Sequence, residues 1–227
     1  MYQLIIQPNF KTCICIMNIF NHVVYICRPY TYFAFLCVFL VGFCLQACSG
    51  CASAHMRDIG FEPTLIANAL SIHSLVLAGA KMLTGISFDK FGLRVTLLIC
   101  NVCSVIALLL LEFMSTDSAV LPYIYSVVIA FGLPLETVML PLIASDLYGQ
   151  KDYSRLMGIF VSVNTMGYFF GSPAINLVYD KMGSYRPAFY AGIAVMVVAA
   201  VGMQIVITAS HKQRAAMETA QENKEEF

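Results

Sequence analysis

Apolar runs long enough to cross a bilayer alternate with short polar breaks along most of this chain. A membrane-spanning helix needs roughly 20 apolar residues to cover roughly 30 Å of hydrocarbon. Six stretches reach that length: 31–52, 63–86, 94–113, 119–146, 155–179 and 187–209. Between them lie segments such as HMRDIGFEP, GISFDKFGLR, YGQKDYSR and DKMGSYRP, which hold most of the charge and are expected to be connecting loops. Each run is predicted to be a helix, because backbone amides in lipid have no water to bond and an open strand would leave them unsatisfied. The expected fold class is an all-α membrane protein with a six-helix transmembrane domain over residues 31–209. A polar tail, partly helical, is expected at 210–227. Residues 1–30 form an N-terminal segment that three readings fit: a poor span, an interfacial segment, or read-through upstream of the real protein. Its apolar run TCICIMNIFNHVVYIC contains Asn18, Asn21 and His22. It lacks a small-residue cleavage site, so a signal peptide is not expected.

Composition narrows the function classes. Hydrophobic residues make up 59% of the 227 and charged residues 11%, with a mean hydropathy of +0.78. The formal net charge is zero, so no basic surface invites nucleic acid. The nine cysteines fall almost entirely within apolar runs, where thiols behave as small hydrophobes. Cys48/Cys51 and Cys100/Cys103 have C-x-x-C spacing, yet no histidine or carboxylate lies beside them to complete a zinc site. No metal is expected, and no cofactor. The chain has no phosphate-binding glycine loop and no nucleophile elbow, so it is not expected to be an enzyme.

Basic residues set the expected orientation, since cytoplasmic loops are enriched in Lys and Arg. Arg28, Lys90, Arg94, Lys151, Arg155, Lys212, Arg214 and Lys224 collect on one side; Arg57, Lys181 and Arg186 lie on the other. This eight-to-three excess places GISFDKFGLR and the C-terminus in the cytoplasm, with the cell membrane as the expected location.

Small and polar residues recurring every three or four positions mark a helix face turned toward a polar path or a packing seam. The first run carries Gly42, Gln46, Ser49 and Ser53; the second carries Ala67, Ser71, Ser74, Ala78, Lys81 and Gly85. The fourth places Tyr125, Gly132 and Glu136 together, with Pro134 and Pro141 able to kink it, and the fifth carries Gly158, Ser162, Thr165, Phe169, Ser172 and Asn176. The third and sixth lack such a face and are expected to be outer, lipid-facing helices. His73 lies about 200° around its helix from Ser71, so it should face a neighbouring helix. His55 is expected in a loop.

Two charges fall inside the runs. A charge at the bilayer centre costs roughly 2.5–3.5 kcal/mol on insertion scales, so each needs a reason. Lys81, one turn from its helix end, fits either a snorkelling side chain or a cavity-facing cation. Glu136 lies deeper and fits a proton carrier, an ion partner for Lys81, or a neutral hydrogen-bonded acid.

The decapeptide GISFDKFGLR carries the pattern G-x-x-x-D-[RK]-x-G-x-[RK], matched by Gly85, Asp89, Lys90, Gly92 and Arg94. It resembles the signature loop of the major facilitator superfamily of secondary transporters. HMRDIGFEPTLIANALSIHSLVLAGAKMLTGISFDKFG looks like the second helix of the C-terminal half in its monocarboxylate and oxalate/formate branch. LYGQKDYSRLMGI and GSPAINLVYDKMGSYRPAF are similar to the loops before that half's fifth and sixth helices. The resemblance covers residues 30–210 and implies one six-helix half of a twelve-helix fold, in which helices one, two, four and five line the cavity. It also implies alternating-access transport of a small organic anion. Members of that branch often carry an arginine, thought to hold the substrate carboxylate, where this chain has Lys81; oxalate-type members have a fifth-helix lysine where it has Asn164. One cation instead of two implies a monoanion. The residues expected to contact substrate are Lys81, Ser74, Asn164 and Gln46, with Glu136 coupling protons and Gly85, Asp89, Lys90, Gly92 and Arg94 forming a gating latch. The expected partners are the anion, the lipid bilayer, and a missing N-terminal half or separate partner chain. A truncated gene product is the expected origin, and a membrane fragment that does not transport is the rival.

Overall fold

The computed structural model describes residues 29–116, 118–148 and 153–225. The expectations for residues 1–28, and for the polar break at 149–152, lie outside the described residues. Everything described is helix or short turn. In chain order the helices are α1 (Pro29–Val41), a π-helical turn (Gly42–Gln46), α2 (Ala47–Ile59), α3 (Pro63–Glu112), α4 (Leu121–Gly132), α5 (Pro134–Thr137), α6 (Met139–Tyr148), α7 (Tyr153–Met182) and α8 (Arg186–Glu225).

Among the described residues, four segments are long and apolar enough to cross a membrane: Thr31–Ile59, Pro63–Glu112, Leu121–Ser145 and Arg186–Ser210. The second, 50 residues long, would measure about 75 Å if straight, at 1.5 Å per residue, which is more than twice the hydrocarbon thickness. It is not straight. Gly92 sits at φ 76°, ψ 175°, the single non-helical residue within it. The Thr84 hydroxyl is in hydrogen-bonding reach of the Cys100 thiol, and these residues stand eight positions on either side of Gly92. The chain therefore folds back at Gly92 into a helical hairpin. α7 is absent from these four because Ser162, Asn164, Thr165 and Ser172 lower its hydropathy.

Three expectations are corrected by these boundaries. GISFDKFGLR is not a loop: it is helical on both sides of one glycine. Charge and polarity alone do not stop a helix, and only Gly92 takes up a conformation outside the right-handed region. The first run does not end near residue 52 but continues to Ile59, where Gly60 adopts φ 106° and its amide reaches the Arg57 carbonyl, a left-handed cap. His55 accordingly lies in α2 and is buried.

The fourth run breaks twice. A proline removes one amide donor and its ring crowds the carbonyl four residues earlier. Pro134 opens α5 after the break at Leu133, and Pro141 lies one turn beyond the break at Val138. The core is apolar and centres on Leu45, Leu97, Leu108, Phe160, Met196 and Ile207, each fully buried. Around it α3 packs on α4 and α8, while α1 packs on α7 and α8. Val95, Leu98, Val102 and Ile106 of α3 and Val198, Val201 and Ile205 of α8 are exposed apolar side chains, as are Leu75 and Met82 of the second run and Phe169 and Leu177 of the fifth.

Candidate functional site

The π turn organises the polar interior. A π turn carries an extra residue relative to the α-helix and turns the chain before it relative to the chain after it. The expected single stripe Gly42–Gln46–Ser49 is split as a result. Gly42 is buried against α7, whereas Gln46 and Ser49 line a cavity. A Cβ on Gly42 would stand 2.2 Å from the Asn164 carbonyl oxygen, so this position holds only glycine without a shift of α7. The same seam continues at Gly167, whose Cβ would meet the Phe39 carbonyl at 2.3 Å, and at Gly171, which meets the Phe43 carbonyl at 2.2 Å. Small residues of this kind bring helix backbones together in lipid, where no hydrophobic drive exists between helices.

Three of the five residues expected to bind or couple converge on this turn. Asn164 is buried on Gly42, with its Oδ1 lacking a hydrogen-bond partner. Glu136, in α5, is buried as well, and the Gln46 backbone is within hydrogen-bonding reach of its carboxyl. Its Oε1 has no partner among the described residues. The side chain of Gln46 is exposed and lines the cavity. Lys81 and Ser74 are not brought to this cluster. Ser74 is exposed and donates to the Leu70 carbonyl of its own helix at 3.1 Å, and Lys81 is half-buried. No ion pair joins Lys81 to Glu136 among the described residues.

The cavity itself measures ≈ 250 Å³ and lies between the first span, α3, α4 and α7. Its polar lining comes from Gln46, Ser49, His73, Tyr125, Ser126 and Tyr168. His73 and Tyr168 are absent from the residues expected to touch substrate. His73 does face a neighbouring helix as expected: its Nδ1 stands 3.1 Å from the Ser126 carbonyl oxygen of α4. The periodicity that turned His73 away from the Ser71–Lys81 stripe carried the signal for this contact.

Asp89 and Lys90 are exposed, and no ion pair joins Asp89 to Lys90 or Arg94 among the described residues. Arg94 instead donates from its guanidinium to the Thr208 hydroxyl of α8, and Gln204 of α8 donates to the Arg94 carbonyl at 3.1 Å. Gly85 is half-buried on the α3 face opposite open space, with nothing within 4 Å of a Cβ built there.

No group of three or more metal-ligating side chains that could hold an ion occurs among the described residues. At the opposite end of the bundle an aromatic cluster ties three connections together. Tyr185 stacks on Tyr179 at 4.3 Å, and His55 meets Phe189 edge-on at 4.9 Å while its Nε2 stands 3.1 Å from the Leu111 carbonyl.

A bundle of long apolar helices, with a partly polar cavity open on one side, is the architecture of an integral membrane protein. The model of the Major Facilitator Superfamily matches residues 34–225, well over half the chain. The chain belongs to that superfamily of membrane transporters. Comparison with curated proteins yields no match.

Proposed function

We propose that this chain forms a six-helix transmembrane half of a secondary transporter for a small organic anion, in the first instance a monocarboxylate, working by alternating access. In this reading α3 crosses the membrane twice and α7 crosses once, giving six passes over residues 31–209, with the C-terminus in the cytoplasm of a cell-membrane protein. The observation that carries the proposal is the exposure of two polar helix faces flanking one cavity. Ser71 and Ser74 on α3, and Ser162 and Thr165 on α7, are exposed, although α3 and α7 each send a residue into the cavity. Each of these hydroxyls donates to a carbonyl of its own helix and keeps acceptor lone pairs that lipid would leave unused, so these faces fit a second six-helix unit across a shared polar path. The same exposure favours a half that pairs with a separate chain over an inert fragment.

Lys81 draws the anion toward the path, Ser74 and the Gln46 side chain offer polar contacts further along it, and Asn164 and Glu136, gathered at the π turn, complete the polar set, with Glu136 carrying the coupling proton. The hairpin tip, Gly85 to Arg94, acts as the cytoplasmic latch. Radiolabelled uptake of a carboxylate panel into cells making the complete transporter tests this. Lys81→Gln should raise KM by about tenfold, the loss of one charged contact of about 1.4 kcal/mol. Unchanged uptake and unchanged competition among carboxylates would sink the assignment.

A further inference from the structure

We infer that the groove between α7 and α8 binds one acyl chain of a phospholipid, with Lys181 at its mouth holding the lipid phosphate. The site lies away from the polar path and does not depend on what the protein transports.

The groove follows from how the two helices are seated. Only Gly183, Ser184 and Tyr185 separate α7 from α8, yet the helices touch little beyond that connection, because α7 packs on the first span and α8 on the first span and α3. A space of ≈ 180 Å³ remains between them, floored by Cys44 and Cys48 and walled by Ala174 and Val178 of α7 and by Ala191 and Gly192 of α8. Neither wall can settle deeper to close it. On α7, a Cβ at Gly171 would stand 2.2 Å from the Phe43 carbonyl oxygen; on α8, a Cβ at Gly192 would stand 3.2 Å from the Cys48 sulfur. The lining holds no polar group other than these two thiols, and thiols in such surroundings behave as small hydrophobes. An empty space walled by hydrocarbon forfeits its packing contacts, so a flexible hydrocarbon chain is the occupant it rewards.

Position identifies the source of that chain. The deepest lining residue of α8, Val195, is nine residues from Arg186, about 14 Å at 1.5 Å per residue, which is close to the depth of one leaflet of a roughly 30 Å hydrocarbon core. Val178 stands about 160° around α7 from Ser162, so the groove opens away from the hydroxyl face that fits a second unit. It lies instead beside Val198 and Val201, exposed apolar side chains of α8.

Charge selects the headgroup. Lys181 lies three residues beyond Val178, about 60° around the helix from it, whereas Asp180 is about 160° away. The acid therefore belongs to the other side, where Asp180 and Asp58 act on the phenols of Tyr179 and Tyr185. Lys181 is exposed and joins no ion pair among the described residues. It stands at the level of the helix connection, where a chain leaving the groove meets its headgroup, and a cation at that level attracts lipid phosphate. A sterol would fill the groove and leave Lys181 unmatched.

Photolabelling tests the site. The full chain is held in nanodiscs doped with a phospholipid that carries a diazirine on one acyl chain, and the cross-linked residues are mapped by peptide mass spectrometry. Residues 174–178 on the groove side and 188–195 should be labelled about tenfold more than Leu177, an exposed residue at the same depth, the ratio that extra packing contacts worth one decade of affinity would give. Labelling no stronger than at Leu177 overturns the inference. Diacylglycerol of the same chain length, which lacks the phosphate, should compete about fivefold less well than the unlabelled phospholipid, as should the phospholipid against Lys181→Gln. Equal competition, or undiminished labelling of Lys181→Gln, removes the role of Lys181 and overturns the assignment, as does a photoactivatable sterol that outcompetes the phospholipid. Ala191→Phe, at an exposed position on the rim, should abolish the groove labelling while Leu177 is labelled as before; persistence of groove labelling in that variant overturns the site. If Ala191→Phe does not fold, the diacylglycerol competition on the unaltered chain decides.

Discussion

The two ends of the helical bundle are built on different principles. At one end, Tyr179, Tyr185, Phe189 and His55 interlock α2, α7 and α8, and His55 also reaches the end of α3 through the Leu111 carbonyl. At the other end, the α3 hairpin tip is joined to α8 by the Arg94–Thr208 and Gln204–Arg94 hydrogen bonds. Aromatic contacts of the first kind act together and are costly to separate, whereas exposed hydrogen bonds exchange with water at little net cost. The aromatic end is a fixed joint. The Gly92 end is held by exposed hydrogen bonds, which is what the proposed latch would require.

Substitutions can break this contrast, beginning with the largest expected effect. Phe189→Ala removes a fully buried ring from the fixed joint and should cost about 3–5 kcal/mol, the usual range for such truncations; thermal melts of the detergent-solubilised protein would register it as a large fall in Tm. Next comes Gly92→Ala. A Cβ there meets nothing within 4 Å, so the whole cost is backbone strain at φ 76°, ψ 175°, a region that only glycine occupies readily, about 1–3 kcal/mol. If the variant melts like the unaltered protein, the hairpin does not depend on that conformation. Arg94→Gln should cost only about 1 kcal/mol, the net worth of one hydrogen bond, because the Gln204 contact is to the backbone and survives. Asp89→Asn should leave stability within about 0.5 kcal/mol, with an almost unchanged Tm, as befits an exposed residue, yet slow uptake if the tip is a latch. A drop in stability with no change in transport would instead make Asp89 a structural residue.

The sequence was most informative where hydrophobic length decides the outcome. Bilayer-length runs predicted helices at every described run, and Pro134 and Pro141 announced the breaks in the fourth. It was least informative where one residue overrides a local pattern. Charges in GISFDKFGLR and HMRDIG suggested loops, but helices there end only at Gly92 and Gly60, because a left-handed or extended backbone stops a helix and a charge facing water does not. The candidate site was half legible for a related reason. Gln46, Asn164 and Glu136 do gather in one place, but periodicity assumes an unbroken 3.6-residue helix, and the π turn violates it. Nothing in GFCLQ signals a π turn, so the separation of Gly42 from Gln46 could not be read. His73 was placed correctly on the side of α3 toward its neighbour, while its partner, the Ser126 carbonyl, lies 53 positions away, a contact that no local pattern contains.

The π turn has one more implication. It acts as a phase shifter in the first span: one surplus residue offsets α1 from α2 by about 100°. Every side chain before Gly42 is therefore dialled to a different compass bearing from those after Gln46. Deleting a single residue from this turn would change no composition and little length, yet it would swing Phe39 away from Gly167 while the half carrying Ser49 stayed in place. Point substitutions in this span sample side chains one at a time. A one-residue insertion or deletion resets half of the span at once, and the protein has kept its glycine seam and its cavity wall on the same helix by holding that offset.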